Sequence, residues 1–247
     1  MKPLLFVAAL FLTARCASGE PAIANAPVLN VPAGEPFAPD LGKPLGDEWK
    51  VVKGTWTAAG GELRGVEVPA DKHSAVLWHP GKVESLILTC EFRLGNAGTF
   101  YVGFDGQKHV GRLVIRANSI GLFEDSPDPD PKPGVKQASK PLMTHAVKIK
   151  NDEWVPLTLE IRGDEMAALV AGVRLAGQHP YLATPKERFW FAVGGTDLRI
   201  RNLKVWNAKA NPGWPALKAQ FSKCSGLCQR DFVPSQQRSS SFGCKKY

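Results

Sequence analysis

Long apolar runs are missing from this chain. Leu4 to Leu12 (LLFVAALFL) is about half of the roughly 20 residues that a membrane-spanning helix requires, so no retained anchor is expected. Helical periodicity is scarce too. No stretch repeats apolar residues at helical spacing beyond a turn or two, with Trp214 to Phe221 the one candidate for a short helix. Internal repeats are absent. So are the strings of familiar catalytic chemistry: G-x-S-x-G, H-E-x-x-H and a phosphate-cradling glycine loop. His73, His79, His109, His145 and His179 stand at no ligand spacing, and each is expected on the surface or in a hydrogen-bonded structural role.

A basic body is missing as well. The net charge of +8 sits mainly at the ends. From residue 209 onward Lys209, Lys218, Lys223, Arg230, Arg238, Lys245 and Lys246 face only Asp231, a balance of +6. Residues 1–20 add +1, leaving +1 for residues 21–208. Phosphate binding needs a concentrated basic footprint, so nucleic acid is not an expected partner.

Cysteine is sparse and unevenly placed. Cys90 shares the parity of Leu86, Leu88, Phe92 and Leu94, and reads as a small apolar residue on a buried strand face. Cys224, Cys228 and Cys244 lie near the end, where an oxidising compartment could pair two and leave one thiol. Their C-x-x-x-C spacing without a nearby histidine does not make a zinc site. Residues 1–19 read as a secretory signal: Lys2, the apolar run, then small Ala17-Ser18-Gly19. Cleavage and export are expected. Lipid anchoring through Cys16 is the lesser alternative, because Arg15 does not suit a lipobox.

Period-two alternation, by contrast, is abundant. In WVPLTLEIRGDEMAALVAGVRL (Trp154 to Leu175), Leu157, Leu159 and Ile161 alternate with Thr158, Glu160 and Arg162. Gly163-Asp164-Glu165 interrupts, and Met166, Ala168 and Val170 resume the pattern. This reads as a β-hairpin with Glu160 and Arg162 facing water. Trp49 to Thr57 and Leu63 to Val68 flank a Gly60-Gly61 turn. Val76 to Trp78 and Val83 to Leu94 follow. Gly95 to Gly98 reads as a hairpin turn into Thr99 to Phe104, and Asp105-Gly106 as a second turn into Arg112 to Arg116. Phe189 to Val193 and Leu198 to Trp206 close the series.

Strands at this spacing with glycine turns predict an all-β fold: a two-sheet antiparallel concanavalin-like jelly-roll sandwich with disordered termini. The expected organisation is a signal at 1–19, an Ala/Pro-rich leader at 20–44, the sandwich at 45–208, a closing segment packed on the domain at 209–222, and a disordered basic Cys/Ser-rich tail at 223–247. Glu124 to Pro141 holds five prolines and cannot be a central strand. Its Glu124, Asp125, Asp128 and Asp130 could ligate calcium, but the regular spacing of a calcium loop is absent. A solvated loop is expected there, and no metal or cofactor.

The Trp154 hairpin resembles that of concanavalin-like jelly-roll domains. KGTWTAAGGELRG, LTCEFRLGNAGTFYV and LRIRNLKVW together resemble the 3-keto-disaccharide hydrolase-like domain, a glycoside-hydrolase-like family, over about residues 45–222. In the family's middle motif, N-S-G-aliphatic-aromatic-x-R, Asn96, Gly98 and Phe100 match, while Ala97 and Val102 replace the serine and arginine. Arg201-Asn202 fits the closing F-R-N motif. The resemblance implies a concanavalin A-like lectin/glucanase fold and action on glycosides or 3-keto-disaccharides. However, the E-x-D-x-x-E string that sets two carboxylates about 5–5.5 Å apart in laminarinase-type glycosidases is absent.

Strand parity offers a site on an outer face. Glu91, Tyr101 and Arg112 each neighbour an inward residue, and two successive hairpins would set them in one row. A carboxylate, an aromatic ring and a guanidinium suit sugar hydroxyls; a cross-strand ion pair with a tyrosine spacer is the bland alternative. Arg93, Asn96, Asp105 and His109 complete the candidate ligand-binding set. No catalytic residue emerges. The expected function is an exported carbohydrate-binding or carbohydrate-acting domain of the cell envelope, with a glycan as partner. A structural or protein-interaction module is the third reading.

Overall fold

The computed structural model describes residues 26–130 and 138–219. The expected signal, Cys16, the tail cysteines and the middle of the Glu124 to Pro141 segment lie outside these residues. Alternating apolar positions build fifteen strands among the described residues, numbered β1 to β15 in chain order, and every pairing is antiparallel.

The first sheet runs β13 (Val173–Gln178), β12 (Glu165–Val170), β11 (Val155–Arg162), β6 (Ser85–Arg93), β15 (Leu198–Ala210), β4 (Glu62–Val66) and β3 (Thr55–Ala59). Strand β1 (Asn30–Phe37) pairs with the later half of β15. The second sheet runs β10 (Lys140–Ala146), β9 (Ser119–Glu124), β8 (His109–Arg116), β7 (Asn96–Asp105), β14 (Lys186–Thr196), β5 (Ala75–Val83) and β2 (Lys50–Lys53). Leu86, Leu88 and Phe92 from one sheet and Phe100, Phe104 and Phe191 from the other meet in the core. The concanavalin-like two-sheet sandwich is the fold of this chain. Residues 214–219 form a short helix, and no helix among the described residues is long and apolar enough to cross a membrane.

Four expectations change. The turn at Gly95 to Gly98 does not close a hairpin: β6 lies in the first sheet and β7 in the second. Gly95, at φ 59°, makes the crossing, and a β-carbon there would stand 2.4 Å from the Asp197 carbonyl oxygen. Only glycine fits so close an approach at positive φ. The single strand read from Trp49 to Thr57 likewise divides at Gly54 into β2 of one sheet and β3 of the other.

The leader, expected on or beside the domain, contributes a strand to it. It supplies β1, and Leu29 just before it is fully buried with Ala167 and Trp214 on the outer side of the first sheet. Nor does Glu160 face water. It is 2% exposed, because its two carboxylate oxygens accept from the Val28 and Asn30 backbone amides at 2.7 Å each. Burial pushes its carboxyl above the ordinary glutamate value, against those hydrogen bonds.

Candidate functional site

The crossing at Gly95 separates the residues expected in one row. Glu91 lies on the outer face of the first sheet, while Tyr101 and Arg112 lie on the outer face of the second, across the core from it. The cause is topological: strand parity predicted each outward direction correctly, but not which sheet each strand joins.

The second sheet's outer face carries a different row. Cross-strand pairing aligns Lys50, Trp78, Trp190, Gly103, Arg112 and Phe123 on β2, β5, β14, β7, β8 and β9. Alternation puts Phe189 and Phe191 into the core, so Trp190 between them must point outward. There it lies across Gly103, whose missing side chain gives the indole its space. Trp190 Nε1 donates to Asp105 Oδ1 at 2.6 Å, and His109 Nδ1 is 2.8 Å from the same oxygen. The Arg112 guanidinium sits 5.7 Å from the Trp190 ring centroid, and that of Arg188 sits 4.3 Å from the Trp78 ring. Arg188 Nη2 also donates to the Gly106 carbonyl.

Asp125 anchors the other end. It is buried, and accepts from Arg112 Nε at 2.9 Å, Arg112 Nη2 at 2.5 Å and Ser139 Oγ at 2.7 Å. This corrects the solvated-loop expectation for Asp125: a two-bond pair with arginine holds it against the sheet. Asp128 and Asp130 remain exposed, joined by the Asp130 amide to Asp128 Oδ1 at 3.0 Å. Among the described residues no group of three or more His, Cys, Asp or Glu is placed to hold a metal ion.

Tyr101, Asp105, His109 and Arg112 are therefore brought together, with Tyr101 one row away beside Ala192 and Val114. Asn96 stands exposed at the start of β7, opposite Thr196. Arg93 shares the first sheet with Glu91. Glu91 Oε2 accepts from Arg201 Nε and Asn202 Nδ2, both at 2.7 Å. Asn202 reaches it because a bulge in β15 places its backbone at φ 53°, a left-handed conformation that asparagine tolerates. Sequence reading missed Trp78, Trp190 and Arg188. The signal was present in the R-F-W-F run, where two inward phenylalanines leave arginine and tryptophan outward.

A two-sheet sandwich with a polar and aromatic outer face is the class that the geometry defines. Two known structures of low sequence identity share the fold. A carbohydrate-binding module, CBM66 from Bacillus subtilis, superposes with a TM-score of 0.52 at 11% identity, covering 65% of this chain and 96% of that one. A sialidase superposes with a TM-score of 0.50 at 12% identity, over 83% of this chain but 22% of the sialidase. The exoplasmic/lumenal domain of VIP36, solved with Ca2+ and Man3GlcNAc, gives 0.49 at 11% identity, over 68% and 90% of the two chains. No protein-family model matches the chain, and no curated protein matches it.

Proposed function

We propose that this chain is a carbohydrate-binding sandwich that takes a glycan on the outer face of its second sheet. The observation that carries the reading is the partly exposed rings of Trp78 and Tyr101 beside Arg112, Arg188 and His109, on a floor made by the buried Trp190. Sugars offer apolar C–H faces to aromatic rings and hydroxyls to charged donors, and this face supplies both kinds of partner side by side. The fold shared with CBM66 and the sialidase supports the same reading.

Binding is favoured over hydrolysis by what the two carboxylates already do. Asp105 is engaged by Trp190 and His109, and Asp125 by Arg112 and Ser139. Both orient donors instead of standing free as an acid and a nucleophile. The resemblance to the 3-keto-disaccharide hydrolase-like domain places oxidised disaccharides among the candidate ligands. The charge and small-residue pattern of residues 1–19 supports export.

A glycan array that includes 3-keto-disaccharides, followed by calorimetric titration, tests the reading. Trp78→Ala and Tyr101→Ala are expected to weaken the best ligand at least tenfold with melting temperature little changed. Full binding by both folded variants would remove this face as the site.

A further inference from the structure

Across the sandwich, the outer face of the first sheet holds more positive charge than its carboxylates neutralise. Cross-strand pairing sets Arg64 opposite Arg199, and Arg199 opposite Arg93. Like charges directly opposite destabilise a sheet. Two of the three guanidiniums are compensated. Asp197 accepts from Arg64 Nε at 2.7 Å and Arg199 Nε at 3.2 Å, and Glu62 accepts from Arg199 Nη1 at 2.9 Å. Arg93 pairs with no carboxylate among the described residues; its guanidinium rests 5.2 Å from the Trp154 ring centroid.

Arg201, whose Nε holds Glu91, lies over the same ring at 4.1 Å, so Glu91 is already charge-neutralised from one side. One row further, Lys204 stands opposite Thr89, and Thr89 opposite Thr158. Lys204 is exposed and makes no ion pair among the described residues. Thr89, Glu91, Pro156, Thr158, Asn202 and Lys204 line an open depression of about 380 Å³.

We propose that this face is a second binding site, for an acidic saccharide. The carboxylate or sulfate of one sugar pairs with Lys204, while hydroxyls meet Thr89 and the Glu91 oxygen not taken by Arg201 and Asn202. A second acidic sugar meets Arg93. Lys204 faces Thr89, and Thr89 to Arg93 spans about 13 Å at about 3.3 Å per strand residue, which suits a chain and not a single sugar. The charge is local, since residues 21–208 carry only +1 in total. The inference concerns other residues than the glycan face of the second sheet, so either can fail alone.

The test is calorimetric titration of the full chain at about 0.1 M salt with three probes: an oligogalacturonate, neutral maltohexaose, and a single-stranded oligonucleotide. The oligogalacturonate is expected to bind and to weaken as salt rises. Lys204→Met and Arg93→Met should each weaken it at least fivefold, and together at least twentyfold. Arg93→Met should not lower the melting temperature, because it relieves the repulsion with Arg199. Trp78→Ala should leave this binding unchanged. No binding at millimolar oligogalacturonate, equal binding of maltohexaose, or tighter binding of the oligonucleotide would overturn the proposal. Loss of binding in Trp78→Ala with retention in the double variant would overturn it too.

Discussion

Trp190 lies flat across the backbone of Gly103: a β-carbon on residue 103 would stand 2.1 Å from the indole Cζ2. The indole is 4% exposed, so it has no free space to retreat into. Gly103→Ala is therefore expected to expel the ring, break the Trp190 to Asp105 hydrogen bond and cost about 1–3 kcal/mol of stability, as overpacking does. Denaturant unfolding and tryptophan fluorescence report the two effects. An unchanged emission spectrum and midpoint would show that the ring does not depend on the glycine.

Glu160 offers a test of how the amino-terminal segment is held. Glu160→Ala leaves the Val28 and Asn30 amides without acceptors, and each buried unmatched donor costs about 1–3 kcal/mol. The expected loss is about 2–6 kcal/mol in all, with faster hydrogen exchange confined to residues 28–30 and β1. Equal exchange in wild type and variant would detach this carboxylate from the segment.

His79 predicts an acid-side instability. Its ring packs against Phe37 at 4.6 Å, Phe189 at 4.7 Å and Trp49 at 4.9 Å. Burial there lowers its pKa below the ordinary histidine value. The unfolded chain thus binds a proton more readily than the folded one below about pH 6.5. The stability it contributes is complete above that pH and falls away as pH drops through the lowered folded value. Replacing His79 with Phe should flatten the midpoint-versus-pH curve in this window. A slope identical to wild type would refute it.

Phe100 and Tyr101 are neighbours with opposite fates. Phe100 is fully buried, and Phe100→Ala is expected to cost about 3–5 kcal/mol. Tyr101, partly exposed on the outer face, should cost under about 1 kcal/mol when cut to alanine. Urea titration of both variants decides; the reverse order would invert the face assignment of β7.

Alternation along the chain was enough to determine the fold class and the inward or outward direction of most side chains. A strand with one dry face must repeat every second residue, so Leu157, Leu159 and Ile161, or Phe100, Val102 and Phe104, declare their own parity. The same local rule marked Glu91, Tyr101 and Arg112 as outward. It could not decide that Gly95 carries the chain from one sheet to the other, because a sharp glycine bend looks alike in sequence whether it closes a hairpin or crosses the core. That choice rests on contacts distant in sequence, such as Gly95 against the Asp197 carbonyl, and it put Glu91 and Tyr101 on opposite faces. Outward parity likewise placed Glu160 in water. Only the fold brought the amides of Val28 and Asn30 to its carboxylate, and buried charge is tolerated where hydrogen bonds replace the lost water. Parity is a property of each strand by itself; sheet order and burial of a polar group belong to strands that meet only in the folded chain.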